Sequence, residues 1–301
     1  MSGSRAARIT RRSLIGAGVA VVAAGAVGEA VNLRLLPGRS TMYRVLGLDG
    51  PAGTIPDVDP VPTISGSFTS ASRGGRQVGW TIAAPPAEAP LPVVVALHGY
   101  GDDHSAFFGD SLGYDRFLAA HVTHGGAPFA IASVDGGNRY WHRRADGDDP
   151  AAMVVDEFVP LLARSGYDTS RLGFTGYSMG GYGALHLGGV LGESRVRVVS
   201  GVSPALWTAA GETARGAFDD AADFRANTVL GRQRALDGVA VQVDCGTGDG
   251  FEPAVHTYVD GFPKRPSSGF SATFSAGGHT RAYWRRTAPS QLAFLARHLQ
   301  S

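Results

Sequence analysis

Lysine is almost missing from this chain: of its 27 basic residues only Lys264 is one, and the rest are arginines. That usage, with 43 glycines and many alanines, marks a GC-rich genome and carries no mechanism. Cysteine is limited to Cys245, which excludes an internal disulfide, so an exported form has to be held by packing alone. A single cysteine after a strand-like run reads as a small buried residue rather than a reactive thiol. A charge of one sign is lacking too. With a formal net charge of +1, no broad field favours nucleic acid or an anionic surface as the main partner. Internal repeats are not visible. No ligand spacing suggests a metal cage, and the Asp146 to Asp149 cluster reads as a loop and helix cap.

What is present is enough to build a large domain. The chain has 301 residues, 44% apolar and 18% charged, which suits one domain or a domain with appendages. At the N-terminus Arg5, Arg8, Arg11 and Arg12 precede the uncharged stretch Ser13 to Gly28. This stretch is too short and too rich in glycine and alanine to demand a spanning helix, and it reads as an export signal. Thr10 to Ile15, "TRRSLI", resembles the twin-arginine signal, which addresses a chain to a bacterial export route for folded proteins. Ala24-Gly25-Ala26 offers a cleavage site, with an uncleaved membrane anchor as the alternative. Residues 1–31 are thus a signal or anchor and 32–64 a Pro/Gly-rich linker or arm. Residues 65–301 are the folded domain, expected outside the cell or at its envelope.

Within that domain, strand-length apolar runs alternate with helical patterns. Strands are predicted at Gln77 to Ala83, Val93 to Leu97, Phe129 to Val134, Arg171 to Thr175, Val196 to Val202, Val239 to Val243 and Ser271 to Phe274. Helices are predicted at Gly113 to His121, Ala151 to Leu162, Gly180 to Leu191, Pro253 to Tyr258 and Arg281 to His298. The alternation, with valine-rich runs apolar on both faces, calls for an α/β fold with a mostly parallel sheet covered on both sides. Ligands should then sit beyond the C-terminal strand ends. Trp207 to Arg234 lies between two strands and reads as a small helical cap over the site or as a packed insertion.

The chemistry gathers at "GYSMGG", residues 176–181. Gly176-x-Ser178-x-Gly180 joins a predicted strand to a predicted helix, the context of a nucleophile elbow; a glycine-rich turn that packs or binds phosphate is the plainer alternative. A weakly nucleophilic serine needs a histidine base and a carboxylate to orient it, in the chain order Ser, acid, His. His279 follows the last strand pattern in "SAGGHTRAYW", whereas His186, His256 and His298 fall inside helical patterns. Asp249 in the loop of "VDCGTGDGF" is the acid, with Asp244 at the strand end as rival. The oxyanion would be held by the backbone amides of Met179, after the nucleophile, and Tyr100, in "LHGYGDD". His98 reads as a turn-fixing imidazole or a substrate contact. In "NRYWHRR", Tyr140 and Trp141 read as an acyl or leaving-group wall and His142, with Arg143 and Arg144, as meeting a polar substrate end, or the stretch reads as an aromatic plug between loop and domain.

Together these stretches resemble the α/β-hydrolase superfamily from about Gln77 to His298. "GFTGYSMGGYGAL", "VDCGTGDGF" and "GGHTRAYW" are similar to its esterase D and antigen 85 mycolyltransferase branch. The resemblance implies the α/β-hydrolase fold, a Ser178, Asp249, His279 triad, an oxyanion hole at Tyr100 and Met179, no cofactor and no metal. An aspartate as the acid is the esterase version. With the leader and the composition, it implies an exported actinobacterial serine esterase acting on a small-molecule or lipid ester. An acyltransferase to a sugar or lipid alcohol, and a non-catalytic envelope binding protein, are the alternatives.

Overall fold

The computed structural model describes residues 39–300. The signal or anchor expected at residues 1–31 lies outside them. Eight strands form one sheet: β1 (Thr63–Ser70), β2 (Arg76–Ala83), β3 (Pro92–Leu97), β4 (Ala130–Val134), β5 (Asp168–Tyr177), β6 (Val196–Val202), β7 (Ala240–Gly246) and β8 (Phe270–Ser275). Their order is β1-β2-β4-β3-β5-β6-β7-β8. The β1–β2 and β2–β4 pairs are antiparallel, and every later pairing is parallel.

Alternation along the strands divides the core in two. In β3, Val93, Val95 and Leu97 join a cluster with Met153, Phe158, Leu185 and Val255, while Val94 and Ala96 join one with Phe117, Leu118, Leu292 and Leu295. Successive side chains leave a strand on opposite faces, so a valine run buried throughout requires helices on both. One layer holds α2 (Tyr114–Thr123) and α7 (Arg281–Leu299); the other holds α3 (150–164), α4 (Met179–Leu191) and α6 (Glu252–Asp260). The sheet is mostly parallel and covered on both faces, as the alternation predicts.

Asp149 caps α3 as expected, its side chain accepting from the Ala152 amide at 2.9 Å. Within α3 the segment Met153–Phe158 opens to a π-helix just before Pro160, which has no N–H to donate and crowds the preceding turn.

Two elements carried no sequence signal. β1 is an edge strand, mostly Ser, Thr and Gly with only Ile64 and Phe68 apolar and with exposed residues over most of its length, so it shows little apolar alternation to read. Its Gly66 makes room for Trp80 of β2: a Cβ there would stand 2.5 Å from the indole. A short helix, α1 (Arg39–Val45), opens the Pro/Gly-rich arm. The segment 207–234 contains α5 (Ala221–Asn227) and buries Ala217, Phe218, Phe224 and Val229 in the core. Arg144 ties it down through Asp219 Oδ1 at 2.7 Å and the Ala217 carbonyl at 2.9 Å.

Candidate active site

Ser178 stands alone between β5 and α4 with φ 55° and ψ −121°, a conformation that L-residues rarely hold. Its neighbours enforce it by what they lack. A Cβ on Gly176 would come within 2.2 Å of the Gly180 carbonyl oxygen, and one on Gly180 within 1.7 Å of the Leu97 carbonyl oxygen. Backbone bonds lock the turn: the Ser178 amide donates to Val202 O at 3.0 Å, and its carbonyl accepts from Ala205 N at 2.9 Å and Tyr182 N at 3.1 Å.

The loops after β7 and β8 bring the partners. His279 Nε2 lies 2.9 Å from Ser178 Oγ, and His279 Nδ1 lies 2.8 Å from Asp249 Oδ2. Asp249 is fully buried, and its other oxygen accepts the Phe251 amide at 3.0 Å. A buried carboxylate so placed orders the imidazole with Nδ1 as donor, leaving Nε2 to accept from the serine hydroxyl. Ring edges of Phe251 and Trp284, with centroids 5.3 and 5.1 Å from that of His279, hold the imidazole from two sides.

The two loops are stitched by backbone. Thr247 N donates to Ser275 O at 2.9 Å and Gly248 N to Gly277 O at 2.7 Å. A Cβ on Gly246 would stand 2.4 Å from the Gly277 carbonyl oxygen, so the strands' ends meet without side chains.

The rival acid has another fate. Asp244 is buried at the end of β7, Oδ2 has no hydrogen-bond partner, and burial pushes its pKa up to about 7 against a partial offset from Thr273. It does not reach His279 through any hydrogen bond among the described residues.

After β3 the chain turns back over Ser178. Asp102 N donates to Gly99 O at 3.3 Å around Gly101 at φ 82°, and Asn138 Oδ1 accepts the Gly101 amide at 2.6 Å. Gly99 abuts Ser178, since a Cβ there would lie 3.5 Å from Ser178 Cβ. Among the described residues the Tyr100 amide donates to no turn or loop carbonyl. Met179 opens α4, where N–H groups have no intrahelical acceptor and the helix dipole favours negative charge.

Three expected substrate contacts are corrected. His98 is fully buried; its Nδ1 donates to Gly99 O at 2.8 Å and its Nε2 accepts the Gly136 amide at 3.0 Å, so it fixes the turn. Burial holds its pKa below the ordinary value and keeps the ring neutral. Trp141 is fully buried and donates to His98 O at 3.3 Å, with Gly136 and Gly183 leaving space for the indole. His142 is buried with its nitrogens on Tyr140 O at 2.8 Å and Asp223 Oδ2 at 3.2 Å. The plug alternative therefore describes Trp141, and His142 meets no polar substrate end. Tyr140 is also buried, at 4% exposure, but it sits within an aromatic group with Tyr100, Trp207 and Phe218.

Trp207 and Phe251 were missed as site residues. Their rings meet at 5.4 Å, and Phe251 in turn touches His279, so they wall the approach to the imidazole. The only sequence signal was Phe251's place two residues after Asp249.

No protein-family model matches the sequence, and no curated protein matches it. Solved structures do. A ferulic acid esterase superposes with a TM-score of 0.67 at 19% identity, covering 79% of this chain and 99% of its own. An S-formylglutathione hydrolase from Agrobacterium tumefaciens gives 0.67 at 15%, covering 82% and 98%. A fluorophosphonate-binding serine hydrolase of Staphylococcus aureus gives 0.63 at 16%, covering 79% and 99%. At these identities the likeness is one of fold, and the fold that this chain shares with solved serine esterases is that of the α/β-hydrolases.

Proposed function

We propose that this chain is a serine carboxylic-ester hydrolase working through a covalent acyl-enzyme. The observation that carries the reading is the hydrogen-bonded line Asp249–His279–Ser178, at 2.8 and 2.9 Å, ending on a serine held in a strained turn at a helix N-terminus. In the first half-reaction His279 Nε2 takes the hydroxyl proton as Ser178 Oγ attacks the ester carbonyl carbon. The carbonyl oxygen becomes an oxyanion between the Tyr100 and Met179 amides, and the same Nε2 returns the proton to the leaving alcohol. In the second half, water attacks the acyl-serine with its proton passing to Nε2, and collapse of the tetrahedral species frees the carboxylic acid and regenerates Ser178. Asp249 holds the imidazole and stabilises the imidazolium.

The aromatic wall of Tyr100, Trp207 and Phe251 supports an ester with an apolar or flat acyl group, and the fold likeness to a ferulic acid esterase is consistent with that class. Residues 1–31 are proposed to export the chain or anchor it at the cell envelope, and their substitution Arg11→Lys/Arg12→Lys should retain activity in the cytoplasm.

The test is turnover of p-nitrophenyl esters from acetate to palmitate, with Ser178→Ala and His279→Ala beside the wild type. Each variant should lose about 10⁴-fold or more in kcat, and a fluorophosphonate should label the wild type but not Ser178→Ala. Activity that appears only with an added alcohol acceptor would replace hydrolysis by acyl transfer. A chain that is inert with every acceptor and unlabelled would be a binding protein.

A further inference from the structure

We propose that the turn ending α1, with Val45, Leu46 and Leu48, is a lipid-contact surface that seats the Ser178 end of the sheet against a phospholipid bilayer. The surface rests on its own observations; only its consequence for substrate access rests on the ester-hydrolase reading.

The arm that carries this turn is fixed to the loops that hold Asp249 and His279. Tyr43 lies under Gly248, where a Cβ would stand 2.7 Å from its ring. Arg286 Nη1 donates to Pro51 O at 2.7 Å and Asp49 O at 3.2 Å, and Gly53 N donates to Ala282 O at 2.9 Å. The helix end is closed by Leu46 N on Met42 O at 2.9 Å and Leu48 N on Tyr43 O at 2.8 Å. The turn is therefore tied to these loops.

Three of its exposed residues are large and apolar. Val45, Leu46 and Leu48 are 78%, 61% and 47% exposed, and they are three of the seven large hydrophobic residues exposed among the described residues. Scattered single residues of that kind are ordinary, but three within four positions on a fixed turn form a patch. Tyr100, 58% exposed, follows β3, while the arm lies on the loops after β7 and β8. These strands run parallel, so the patch and Tyr100 share the end of the sheet where Ser178 opens.

Patch size and chain context select the occupant. Three side chains fall far short of the ~800 Å² per partner that a stable protein interface buries. They suffice at a bilayer when a second attachment supplies the local concentration. The uncharged stretch Ser13 to Gly28 precedes the patch on the same chain, with Arg34, Arg39 and Arg44 in between and no acidic residue after Glu29 until Asp49. Eleven residues lead from Gly28 to Arg39, so a link between the two spans at most ~40 Å. Among the described residues no helix is long and apolar enough to cross a membrane.

The full chain carrying Leu46→Cys is labelled with an environment-sensitive nitrobenzoxadiazole dye; Cys245 is fully buried and stays unlabelled. On vesicles of phosphatidylglycerol and phosphatidylcholine the emission should shift to the blue, gain intensity and be quenched by lipids spin-labelled near the headgroup. Adding Val45→Ser/Leu48→Ser should reverse most of that shift while p-nitrophenyl butyrate turnover stays unchanged. Unshifted emission from protein that sediments with the vesicles would overturn the proposal, as would protein that stays in solution. A blue shift that grows with protein concentration in the absence of lipid would assign the patch to a second copy instead. An inert esterase assay with the vesicle shift intact would sink the hydrolase reading and leave the lipid surface standing.

Discussion

Replacing Asp244 by Asn should change how stability depends on pH. The Asp244 carboxyl is 2% exposed, one oxygen has no partner, and burial raises its pKa from 3.8 to about 7. The unfolded chain releases this proton near pH 4, whereas the folded protein keeps it until about pH 7. Because the folded-state pKa is the higher one, the stabilisation is complete below about pH 4 and is lost progressively as pH rises to about 7. That displacement corresponds to at most about 4 kcal/mol. Asparagine mimics the protonated acid and cannot ionise, but its amide would leave a buried N–H without an acceptor, at about 1–3 kcal/mol. The variant should thus be less stable than the wild type at pH 4 and should gain on it steadily up to pH 8. Urea unfolding followed by tryptophan fluorescence at pH 4, 6 and 8 measures this. Parallel stability curves across that range would refute the reasoning, because they would mean that Asp244 ionises alike in both states. The same variant should keep esterase activity within about tenfold, whereas Asp249→Asn should lose about 10⁴-fold in kcat.

Three further outcomes are expected. Gly180→Ala should abolish both activity and the native elbow, since its Cβ would collide with the Leu97 carbonyl at 1.7 Å; retained turnover with an unchanged thermal midpoint would count against this. Burial would raise the Asp148 pKa, but Arg73 at 2.7 Å, together with Arg76 and Arg139, more than offsets it and holds the carboxyl below its ordinary range. Asp148→Ala should therefore cost about 3–5 kcal/mol, and the stabilisation that Asp148 gives should persist at neutral pH and fade as pH falls through the lowered value, as acid unfolding of both proteins by circular dichroism would record. Trp207→Ala should raise KM for aryl and long-chain esters more than for the acetate, and an equal change across the series would remove Trp207 from the substrate wall.

The parts of the site that could be read in the sequence are those in which order along the chain dictates place in space. Ser178 and His279 were legible because each follows a valine- or phenylalanine-bearing strand of a parallel sheet, and such strands deliver their loops to one end. Choosing between Asp244 and Asp249 was harder, because the two lie five residues apart and differ only in which one clears the strand end. The structure brings Asp249 to His279 and leaves Asp244 inside. Residues 140–142 were not legible. Tyr140 and Trp141 both adopt positive φ, 53° and 54°, which folds the indole inward beneath α4, and no local rule announces that conformation for bulky residues. β1 escaped because an edge strand with one exposed row needs little apolar sequence, and α1 because seven residues are too few to show a helical period.

The seam between the acid-bearing and histidine-bearing loops is encoded by glycine and backbone, whereas the wall beside it is encoded by large exchangeable rings. These two kinds of encoding respond differently to variation. A library randomising Tyr100, Trp207 and Phe251 should yield many folded proteins with shifted ester preference, because side chains there trade one surface for another. A library at Gly246, Gly248 and Gly277 should collapse back to glycine, since a Cβ at any of them meets backbone or ring within 2.7 Å. Reactivity and selectivity are thereby separable traits in this chain, and descendants of it could diversify in substrate without ever reopening the question of how the proton moves.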